Sequence, residues 1–448
     1  MLTHILLALS ITSLLYWGYN VIHSLFITPL RKLPGPLLYQ LFPIIIYYHI
    51  ILGKGHILIY NLHKQYGSVV RVGWSMVSFD SEAASKQIYS TYDFPKTKFY
   101  SAFQVVGETI FSTRNKEFHK KRRKMLSRFF SDKIIESFEP IINSKANDLV
   151  NKMTTFYKQG YVFDLINYFN CFSFDVIYTI TFGNSFNMIK KEGHLVLNWI
   201  KDVFSLTVVF ANEAIKNSDS AATTTILNTL NDPINPETNE MLMDKQIIEE
   251  SILQLIAGTH TTANSLTWTF YSLLQHPQIY KKLKQELIKT FPTKENITYA
   301  KCKSECPYLA AVLHESLRLL PVVSGNVVRV TPRGGRVIDG YFIPEKTIVG
   351  VNIMALHNSP KYWKDPEAFN PERWIQDDQF KMNNHFMPFL IGPRACIGRT
   401  LAWMDLYLVS AHLVRSFNFD FKDKEKQLNS LFYGVSVPDS TLEVQIFK

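Results

Sequence analysis

Cysteine is scarce in this sequence, with Cys171, Cys302, Cys306 and Cys396 the four examples among 448 residues. So few cysteines in a long chain exclude the disulfide framework that holds small secreted domains together. Cys302 and Cys306 form a single C-x3-C pair, and a structural zinc site requires two further soft ligands that are not close in the sequence. We therefore interpret these two residues as incidental thiols.

Charge is missing from the first 30 residues, which contain no Asp, Glu, Lys or Arg. This stretch exceeds the ~20 apolar residues that a bilayer-spanning helix needs, and Arg31 and Lys32 follow it directly. By the positive-inside rule they place the rest of the chain in the cytosol. A cleaved signal peptide is the alternative, but the sequence lacks a small-residue cleavage site and a cysteine-rich domain. We predict an uncleaved anchor over residues 1–30 and one domain over residues 31–448.

The remaining composition is that of a large globular domain. Hydrophobic residues make up 46% and charged residues 19% of the chain, which favours a sizeable core and excludes a disordered or collagenous class. The net charge of +10 favours acidic partners, such as nucleic acid, anionic lipid or an acidic protein, without distinguishing between them.

Two features connect the predicted anchor to the body. Leu33-Pro-Gly-Pro36 indicates a stiff elbow, because proline bars helix continuation and glycine permits a turn. The uncharged stretch from Leu37 to Leu52 is interrupted by Pro43, so we prefer a helix on the membrane surface to a second span. The body itself predicts a hairpin around Gly73, a helical region from Glu117 to Lys152, strands within 327–351, and mostly helix elsewhere.

One ten-residue segment, Phe389-Leu-Ile-Gly-Pro-Arg-Ala-Cys-Ile-Gly398, carries most of the chemistry. A helical pattern begins just after Cys396, and a helix amino terminus favours the ionised sulfur that a metal ion requires. Gly392 and Gly398 have no side chain, so the backbone can approach a flat macrocycle closely, and Phe389 can shield the sulfur from water. Arg394 can reach a carboxylate on that macrocycle. A buried, inert cysteine at a helix start is the alternative.

The spacing F-x-x-G-x-R-x-C-x-G resembles the haem-binding signature of the cytochrome P-450 family. The resemblance implies a mostly α-helical cytochrome P-450 fold with a small β-rich part, behind the predicted transmembrane helix. It also implies haem b (iron protoporphyrin IX) as cofactor, with Cys396 as the axial ligand of the haem iron. Phe389, Gly392, Arg394 and Gly398 would then contact the haem.

Glu315 and Arg318 lie three residues apart, on one face of a predicted helix from Tyr308 to Leu320. An exposed ion pair would be the preferred interpretation of these residues alone. With Arg373 in the Pro-Glu-Arg-Trp segment, however, they resemble the Glu–Arg–Arg triad of the same family, and the resemblance makes all three structural.

A very long helix is predicted from Asp244 to Gln275, where His276-Pro277 stops it. Its middle, Ala257-Gly-Thr-His-Thr-Thr262, is either an ordinary polar notch or a place where small residues admit a flat partner, and hydroxyls there can bond to the carbonyl one turn back. The segment resembles the family's oxygen-activating motif. The resemblance gives Thr261 the role of hydrogen-bonding the oxygen being activated, and His260 stands where the family has Asp or Glu. Histidine relays protons near neutral pH, so we predict both as catalytic residues.

The basic segment Phe118-His-Lys-Lys-Arg-Arg-Lys124 is a solvated helix face or a nuclear signal when considered alone. The resemblance instead places His119 and Arg123 at positions that meet a haem carboxylate, with His119 in place of the family's tryptophan. Arg329 matches another such residue. Lys120, Lys121, Arg122 and Lys124 are expected on a surface that suits an acidic redox partner.

The resemblance covers the chain from Leu33 to its end, and its details are most similar to fungal, membrane-bound members of secondary metabolism. It implies a monooxygenase in the endoplasmic reticulum membrane, with an apolar small-molecule substrate, electrons from NADPH through NADPH–cytochrome P-450 reductase, and no nucleic-acid partner. Residues 185–251 are shorter than the segment that the family usually carries there. With His260, this leaves two alternatives open: a haem-binding paralogue without monooxygenase activity, or an isomerase that needs no reductase.

Overall fold

The structure, a computed structural model, describes residues 1–104, 107–191, 225–230, 242–376 and 385–447. This part of the chain is mostly helical, as predicted. In chain order its α-helices are α1 (Leu2–Ile22), α2 (Leu37–Leu41), α3 (Ile44–Ile51), α4 (Gly55–Tyr66), α5 (Glu82–Tyr89), α6 (Lys116–Phe129), α7 (Asp132–Glu136), α8 (Glu139–Gln159), α9 (Leu165–Phe182), α10 (Ile226–Leu230), α11 (Asp244–Gln275), α12 (Pro277–Thr290), α13 (Tyr299–Glu305), α14 (Pro307–Leu319), α15 (Ile353–His357), α16 (Arg373–Gln376) and α17 (Arg399–Ser416).

The strands form small sheets beside the helices. They are β1 (Val69–Gly73), β2 (Met76–Phe79), β3 (Phe163–Asp164), β4 (Arg329–Val330), β5 (Arg336–Ile338), β6 (Tyr341–Ile343), β7 (Ile348–Val351), β8 (Asn418–Phe421), β9 (Ser430–Phe432), β10 (Ser436–Pro438) and β11 (Glu443–Phe447). The largest sheet has the order β1-β2-β7-β4, with β2 parallel to β7 and the other pairs antiparallel. The predicted hairpin around Gly73 is therefore confirmed as β1–β2.

The amino-terminal helix is long and apolar enough to cross a membrane. It continues through a π-helical turn (His23–Ile27), and the apolar stretch Thr3–Ile27 spans 25 residues, most of them exposed and Ser24 buried. The helix thus has the length and composition of the predicted anchor, and its membrane insertion stays a prediction.

The predicted helical region from Glu117 to Lys152 is confirmed, and it is divided into three helices, α6, α7 and α8. The chain turns at Phe130–Ser131 between α6 and α7, and α8 begins with Pro140 in its first turn. Proline has no N–H to donate to a preceding turn, which favours a new helix start at this place. The predicted bounds of α11, in contrast, are confirmed at both ends.

The helical core is built around α11, which packs against α9 and also contacts α17 and α14. The reason for Gly258 in the middle of α11 is the contact with α9. A Cβ atom on Gly258 would lie 2.7 Å from the Ile177 side chain, so only glycine permits the two helices to come this close. At Gly258 the close approach is therefore to α9.

The predicted triad of Glu315, Arg318 and Arg373 is confirmed as a buried network. The Arg318 Nε atom lies 2.8 Å from Glu315 Oε2, and Arg373 Nε lies 3.1 Å from Glu315 Oε1. The Trp374 indole N–H and the Asn370 backbone N–H donate to the same carboxylate. Burial opposes the charge of Glu315, but the bonds and charges of the two arginines outweigh it and lower its pKa. The network ties α14 to the loop before α16.

Replacing Glu315 by Gln leaves both buried guanidinium groups without a counter-charge. We expect this to lower the free energy of unfolding by about 3–5 kcal/mol, the usual loss when one partner of a buried ion pair is removed. Chemical denaturation of the purified protein measures it. The matched control is Glu443→Gln, which breaks the exposed pair with Lys422 and should cost about 1 kcal/mol or less. Equal losses for the two variants would contradict the structural role of the triad.

Candidate functional site

The segment around Cys396 is a turn held by its own backbone. The Cys396 N–H donates to the Phe389 carbonyl at 2.9 Å, and a short 3₁₀ turn, Gly392–Arg394, stands between them. The helix α17 begins at Arg399, with Gly398 as its N-cap. No side chain from 388 to 400 is buried, although the segment lies against the core. The loop therefore presents an open face to the interior of the protein.

The two glycines of this loop have different surroundings. Gly392 has a φ of +75°, and a Cβ atom there would lie 2.1 Å from the Tyr89 carbonyl oxygen. Its contact with protein backbone already requires glycine, whatever binds above the loop. At Gly398 a Cβ atom would meet nothing closer than 3.8 Å, at the Phe130 ring. The protein alone thus has room for a side chain at position 398.

Opposing effects act on the pKa of the Cys396 thiol. The surrounding protein raises the pKa of the thiol, and the N–H of Gly398 and the charges of Arg123 and Arg399 only partly oppose this rise. Its side chain is nevertheless exposed to the open face of the loop, whereas the three other cysteines are buried. The helix end alone does not ionise the sulfur, and a metal ion bound to it would, because a coordinating thiol is deprotonated by the metal.

Several basic side chains converge beside this loop from separate parts of the chain. Arg123, on α6, donates from Nη1 to the Ala395 carbonyl at 2.5 Å, next to Cys396. His119, one turn earlier on α6, is buried, and its Nδ1 atom lies 2.8 Å from the Tyr92 hydroxyl. Burial, followed by the surrounding positive charges, lowers the pKa of His119 to about 3. His119 is therefore neutral at physiological pH and acts as a hydrogen-bonding group.

Three more basic residues complete the group. Arg394 donates from Nη1 to the Thr113 carbonyl at 3.2 Å, and Arg329 Nη1 lies 3.3 Å from the Tyr100 hydroxyl. The ammonium group of Lys96 lies 4.4 Å from the centre of the Tyr100 ring. The charges of Arg329 and Arg394 are close enough to lower the pKa of Lys96, in addition to burial. We refer to these side chains as the cation cluster, which consists of Lys96, His119, Arg123, Arg329 and Arg394.

The cation cluster lacks negative charge. Within the described ranges, no carboxylate forms an ion pair with Lys96, Arg123, Arg329 or Arg394. Burial and the nearby Arg329 lower the pKa of Arg394 to about 10, so it is still charged at pH 7. Buried cations normally have a paired anion, because an unpaired charge loses its hydration without compensation. The cluster therefore fits a ligand that brings carboxylates, such as the two on haem b.

Part of this region could not be predicted from the sequence. No sequence pattern indicated Lys96, because it lies in a loop far along the chain from both the basic segment and Cys396. Arg122 was expected on the surface, but it is buried, and its Nε lies 3.1 Å from Glu250 Oε1 on α11. Successive residues of a helix point in different directions. Arg122 on α6 therefore faces α11 and Arg123 faces Ala395, whereas the side chains of Lys120, Lys121 and Lys124 are exposed.

In the middle of α11 one side of the helix is exposed, although most residues before and after it in the helix are buried. Ala257 and Ile256 are exposed, and Thr261 and His260 are half-buried. The Thr261 hydroxyl donates to the Ala257 carbonyl at 2.6 Å, which confirms the expected bond to the preceding turn. Burial lowers the pKa of His260. These residues share one helix with Glu250, the partner of Arg122, which links α11 to the basic helix α6.

The resemblance to the cytochrome P-450 family also predicts a substrate pocket, and the structure brings some of its expected lining residues together from distant segments. The expected lining residues are Phe103, Val105, Ile256, Val322, Val323 and Val435. Phe103 lies near the β9–β10 turn, where a Cβ atom on Gly434 would be 3.7 Å from its ring. The Ser436 N–H donates to the Val322 carbonyl at 2.7 Å, which brings Val323 and Val435 into the same region. The other expected lining residue in this region, Val105, lies outside the described residues.

A cavity of about 340 Å³ lies elsewhere, between α4 and the segment after α15. Its lining includes His63, Asp80 and Glu367 but neither Cys396 nor a member of the cation cluster. It is separate from the thiol and from the open part of α11. The face beside Cys396 remains the candidate site, because the thiol, the unpaired cations and the exposed apolar residues are the groups that a flat cofactor would cover.

Comparisons with known proteins identify the type of site. A family model described as "Cytochrome P450" matches residues 34–217 and 198–446. The chain is 32% identical over 461 residues to "Cytochrome P450 monooxygenase ORF11" of Penicillium roqueforti, with 94% of each chain covered. It is 31% identical to "Cytochrome P450 monooxygenase aclL" of Aspergillus oryzae, with 91% of each covered, and 28% identical to "Cytochrome P450 monooxygenase atnE" of Emericella nidulans, with 89% of this chain and 87% of the relative covered.

These alignments also bear on the segment expected to be short. The family model matches the chain as two separate segments, which overlap at residues 198–217. The alignment with the Penicillium protein is longer, at 461 residues, than the 448 residues of this chain. The relative therefore has residues that this chain lacks. Most of 185–251, in which we expected the loss, lies outside the described residues.

Replacing Lys96 by Met tests the cation cluster at the residue that the sequence did not indicate. The variant loses one charged donor, and we expect the protein to retain haem about tenfold less well, since a bond to a charged group contributes roughly 1.5–3 kcal/mol. Transfer of haem to an excess of apomyoglobin measures the retention. Lys98→Met, at an exposed position two residues away, is the matched control. Equal retention by both variants would remove Lys96 from the site.

Proposed function

This chain belongs to the cytochrome P450 family, and from that premise we propose that it is a membrane-anchored haem-thiolate monooxygenase. In the proposed reaction one oxygen atom of O₂ enters an apolar small molecule and the other leaves as water. The names of the fungal relatives, all cytochrome P450 monooxygenases, support this reaction class. We further propose that the substrate belongs to a fungal secondary-metabolite pathway.

The observation that carries the proposal is the exposed thiol of Cys396 beside cations that have no carboxylate partner. A thiol alone would fit many cysteines, and a basic patch alone would fit many surfaces. Their combination on one open face, with the Arg123 guanidinium bonded to Ala395 next to the cysteine, fits a metal macrocycle that carries acidic side groups. Haem bound through a thiolate supplies electron density that favours cleavage of the O–O bond.

In this proposal the chain's own residues hold and orient the cofactor. The Cys396 sulfur would hold the haem iron, and the Gly398 N–H and Arg123 would moderate its charge. Arg329, Arg394, Arg123 and Lys96 would bind the haem carboxylates, and His119 would contribute a neutral hydrogen bond. Phe389, Gly392 and Gly398 shape the loop that carries the sulfur, with Gly392 fixed by its contact with Tyr89.

Thr261 and His260 are the proposed catalytic residues on α11. The Thr261 hydroxyl donates to the Ala257 carbonyl, so it presents its lone pairs to the open side of the helix and can accept or pass on a proton there. His260 has a lowered pKa and is neutral at pH 7, which lets the imidazole both accept and donate protons. With water between them, the two side chains form the proposed proton path.

The proposed location is the endoplasmic reticulum membrane. Residues 1–30 form the anchor, residues 31–448 form the catalytic domain in the cytosol, and Arg31 and Lys32 mark the cytosolic end of the helix. Electrons come from NADPH through a reductase. The exposed Lys120, Lys121 and Lys124 on α6 provide the positive surface that an acidic redox partner requires.

A second candidate function is haem binding without monooxygenation. It is favoured by His260 at the position where the family has a carboxylate, and by the residues that this chain lacks relative to its relatives. Purified protein with a reductase distinguishes the two. The monooxygenase forms product and consumes NADPH in response to an apolar substrate. A thiolate spectrum with neither response across a broad apolar panel favours the second candidate, and turnover of a hydroperoxide without NADPH indicates an isomerase.

Replacing Cys396 by Ser removes the proposed sulfur donor. We expect loss of haem, or loss of the thiolate band in the spectrum of the reduced protein with carbon monoxide. Cys171→Ser, which changes a buried thiol on α9, is the control and should keep the band. Retention of the band by the Cys396 variant would show that another residue is the ligand.

Replacing Thr261 by Ala removes the hydroxyl from the proposed proton path. We expect hydrogen peroxide to increase at the expense of product, with NADPH consumption continuing, so the yield of product per NADPH falls severalfold. Ser265→Ala is the control, because this hydroxyl donates to the Thr261 carbonyl one turn further along the same helix. An unchanged yield in the Thr261 variant would count against its role.

A further inference from the structure

Arg71, in the middle of β1, joins the amino-terminal helix to the body. Its side chain has no exposed surface, and its guanidinium group reaches Ser24 at the end of the anchor. Nη1 donates to the Ser24 carbonyl at 2.9 Å, and Nη2 donates to the Ser24 hydroxyl at 2.7 Å. A second bond from Nη1 reaches Gln40 Oε1, on α2, at 3.2 Å. One side chain thus connects three separate elements.

The same guanidinium is also fixed to the hairpin. Nε donates to the Gly73 carbonyl at 3.1 Å, and Nη2 donates to the Trp74 carbonyl at 2.8 Å. All the acceptors are neutral, and burial lowers the pKa of Arg71 to about 10, so the group keeps its charge at pH 7. The rigid fork of donors of this guanidinium fixes the geometry of the groups that it binds.

The backbone of Arg71 holds the predicted elbow. The Arg71 N–H donates to the Pro34 carbonyl at 2.8 Å. Gly35 has a φ of +155°, and a Cβ atom there would lie 2.2 Å from the Arg71 carbonyl oxygen, so only glycine fits. The Leu33-Pro-Gly-Pro36 elbow is therefore docked against β1, and the anchor has a defined direction relative to the body.

A large apolar surface lies next to this junction. We call it the α2–α3 face, and it consists of the exposed residues Leu37, Leu38, Phe42, Ile44, Tyr47, Tyr48, Ile50, Ile51 and Leu52. Ile44 is 70% exposed and Ile51 is 74% exposed. Residues 33–53 contain no charge, and the exposed Arg31, Lys32 and Lys54 stand at their two ends. Contiguous apolar surface of this size marks an interaction site, and basic residues at its margins are typical of a surface in the lipid interface.

The position of the face next to the anchor indicates a lipid bilayer as its partner. The Trp17 indole N–H, on α1, donates to the Leu41 carbonyl at the end of α2 at 2.9 Å, and the Trp17 ring stacks on Phe42. The apolar surface of α1 is thereby continuous with the α2–α3 face. A bilayer that surrounds α1 would reach this face without a second protein.

We propose that Arg71 is a latch that fixes the angle between the anchor and the body, so that the α2–α3 face lies in the bilayer interface beside α1. The inference rests on the proposed function to the extent that α1 must be in a membrane. It goes beyond the membrane-surface helix predicted for residues 37–52 by assigning the orientation of this stretch to one buried side chain.

Labelling from within the lipid tests this inference on the full-length holoenzyme. The protein is reconstituted in phosphatidylcholine vesicles that contain a lipid-soluble phenyl-diazirine, and the labelled peptides are identified after illumination. In the wild-type protein we expect label in residues 3–22 and in residues 37–52. In Arg71→Ala we expect the label in 37–52 to fall severalfold while the label in 3–22 is unchanged. Arg128→Ala, an exposed arginine on α6, is the charge-matched control.

A second variant covers the case in which Arg71→Ala does not fold. Ser24→Ala combined with Gln40→Leu keeps the arginine and its bonds to Gly73 and Trp74, but removes two side-chain acceptors of the latch. Its label in 37–52 should also fall, with the haem spectrum unchanged.

The outcomes separate this inference from the proposed function. Wild-type protein with label in 3–22 but none in 37–52 would overturn the inference, and would assign the α2–α3 face to a partner other than lipid. Equal label in 37–52 for wild type and both variants would overturn the latch. Absence of label from 3–22 itself would overturn the membrane anchor, and the inference with it.

Discussion

Unbalanced positive charge beside an exposed thiol is the constraint on which this site depends. Arg123, Arg329, Arg394 and Lys96 reach one region from four segments of the chain, and no described carboxylate compensates them. Such an arrangement is costly in the ligand-free protein, because each cation loses hydration and repels the others. A group with two carboxylates would compensate these charges, and a flat cofactor would also cover the open face of the cysteine loop.

The surrounding scaffold keeps these groups in place without taking part in the chemistry. The Glu315 network fixes α14 and the segment that leads toward the cysteine loop, and Gly258 lets α11 lie close against α9. The Arg122–Glu250 pair links the basic helix to α11, so Arg123 on α6, proposed to bind a haem carboxylate, and the proposed catalytic residues on α11 belong to one packed unit. At the other end of the body, Arg71 plays a comparable part for the anchor. Buried arginines thus hold elements at fixed angles at three places.

The sequence was sufficient for features that depend on local rules. The bounds of α11 follow from its pattern and from His276-Pro277, and the hairpin follows from two apolar runs around Gly73. The Glu315 triad was found through family spacing, although local chemistry favoured an exposed pair. Features that depend on the tertiary structure could not be predicted from the sequence. Lys96 belongs to the cation cluster only because its loop is folded against Arg329, and Arg122 is buried only because α11 lies above it. The balance of effects on Cys396 is also tertiary, since enclosure by the protein raises the pKa of its thiol and the Gly398 N–H and two arginines only partly oppose this.

Whether the sulfur of Cys396 binds iron can be measured by X-ray absorption spectroscopy of the purified ferric holoenzyme at the iron edge. We expect one sulfur donor in addition to the four porphyrin nitrogens. A spectrum fitted by nitrogen or oxygen donors alone, or a purified chain that takes up no haem, would contradict it.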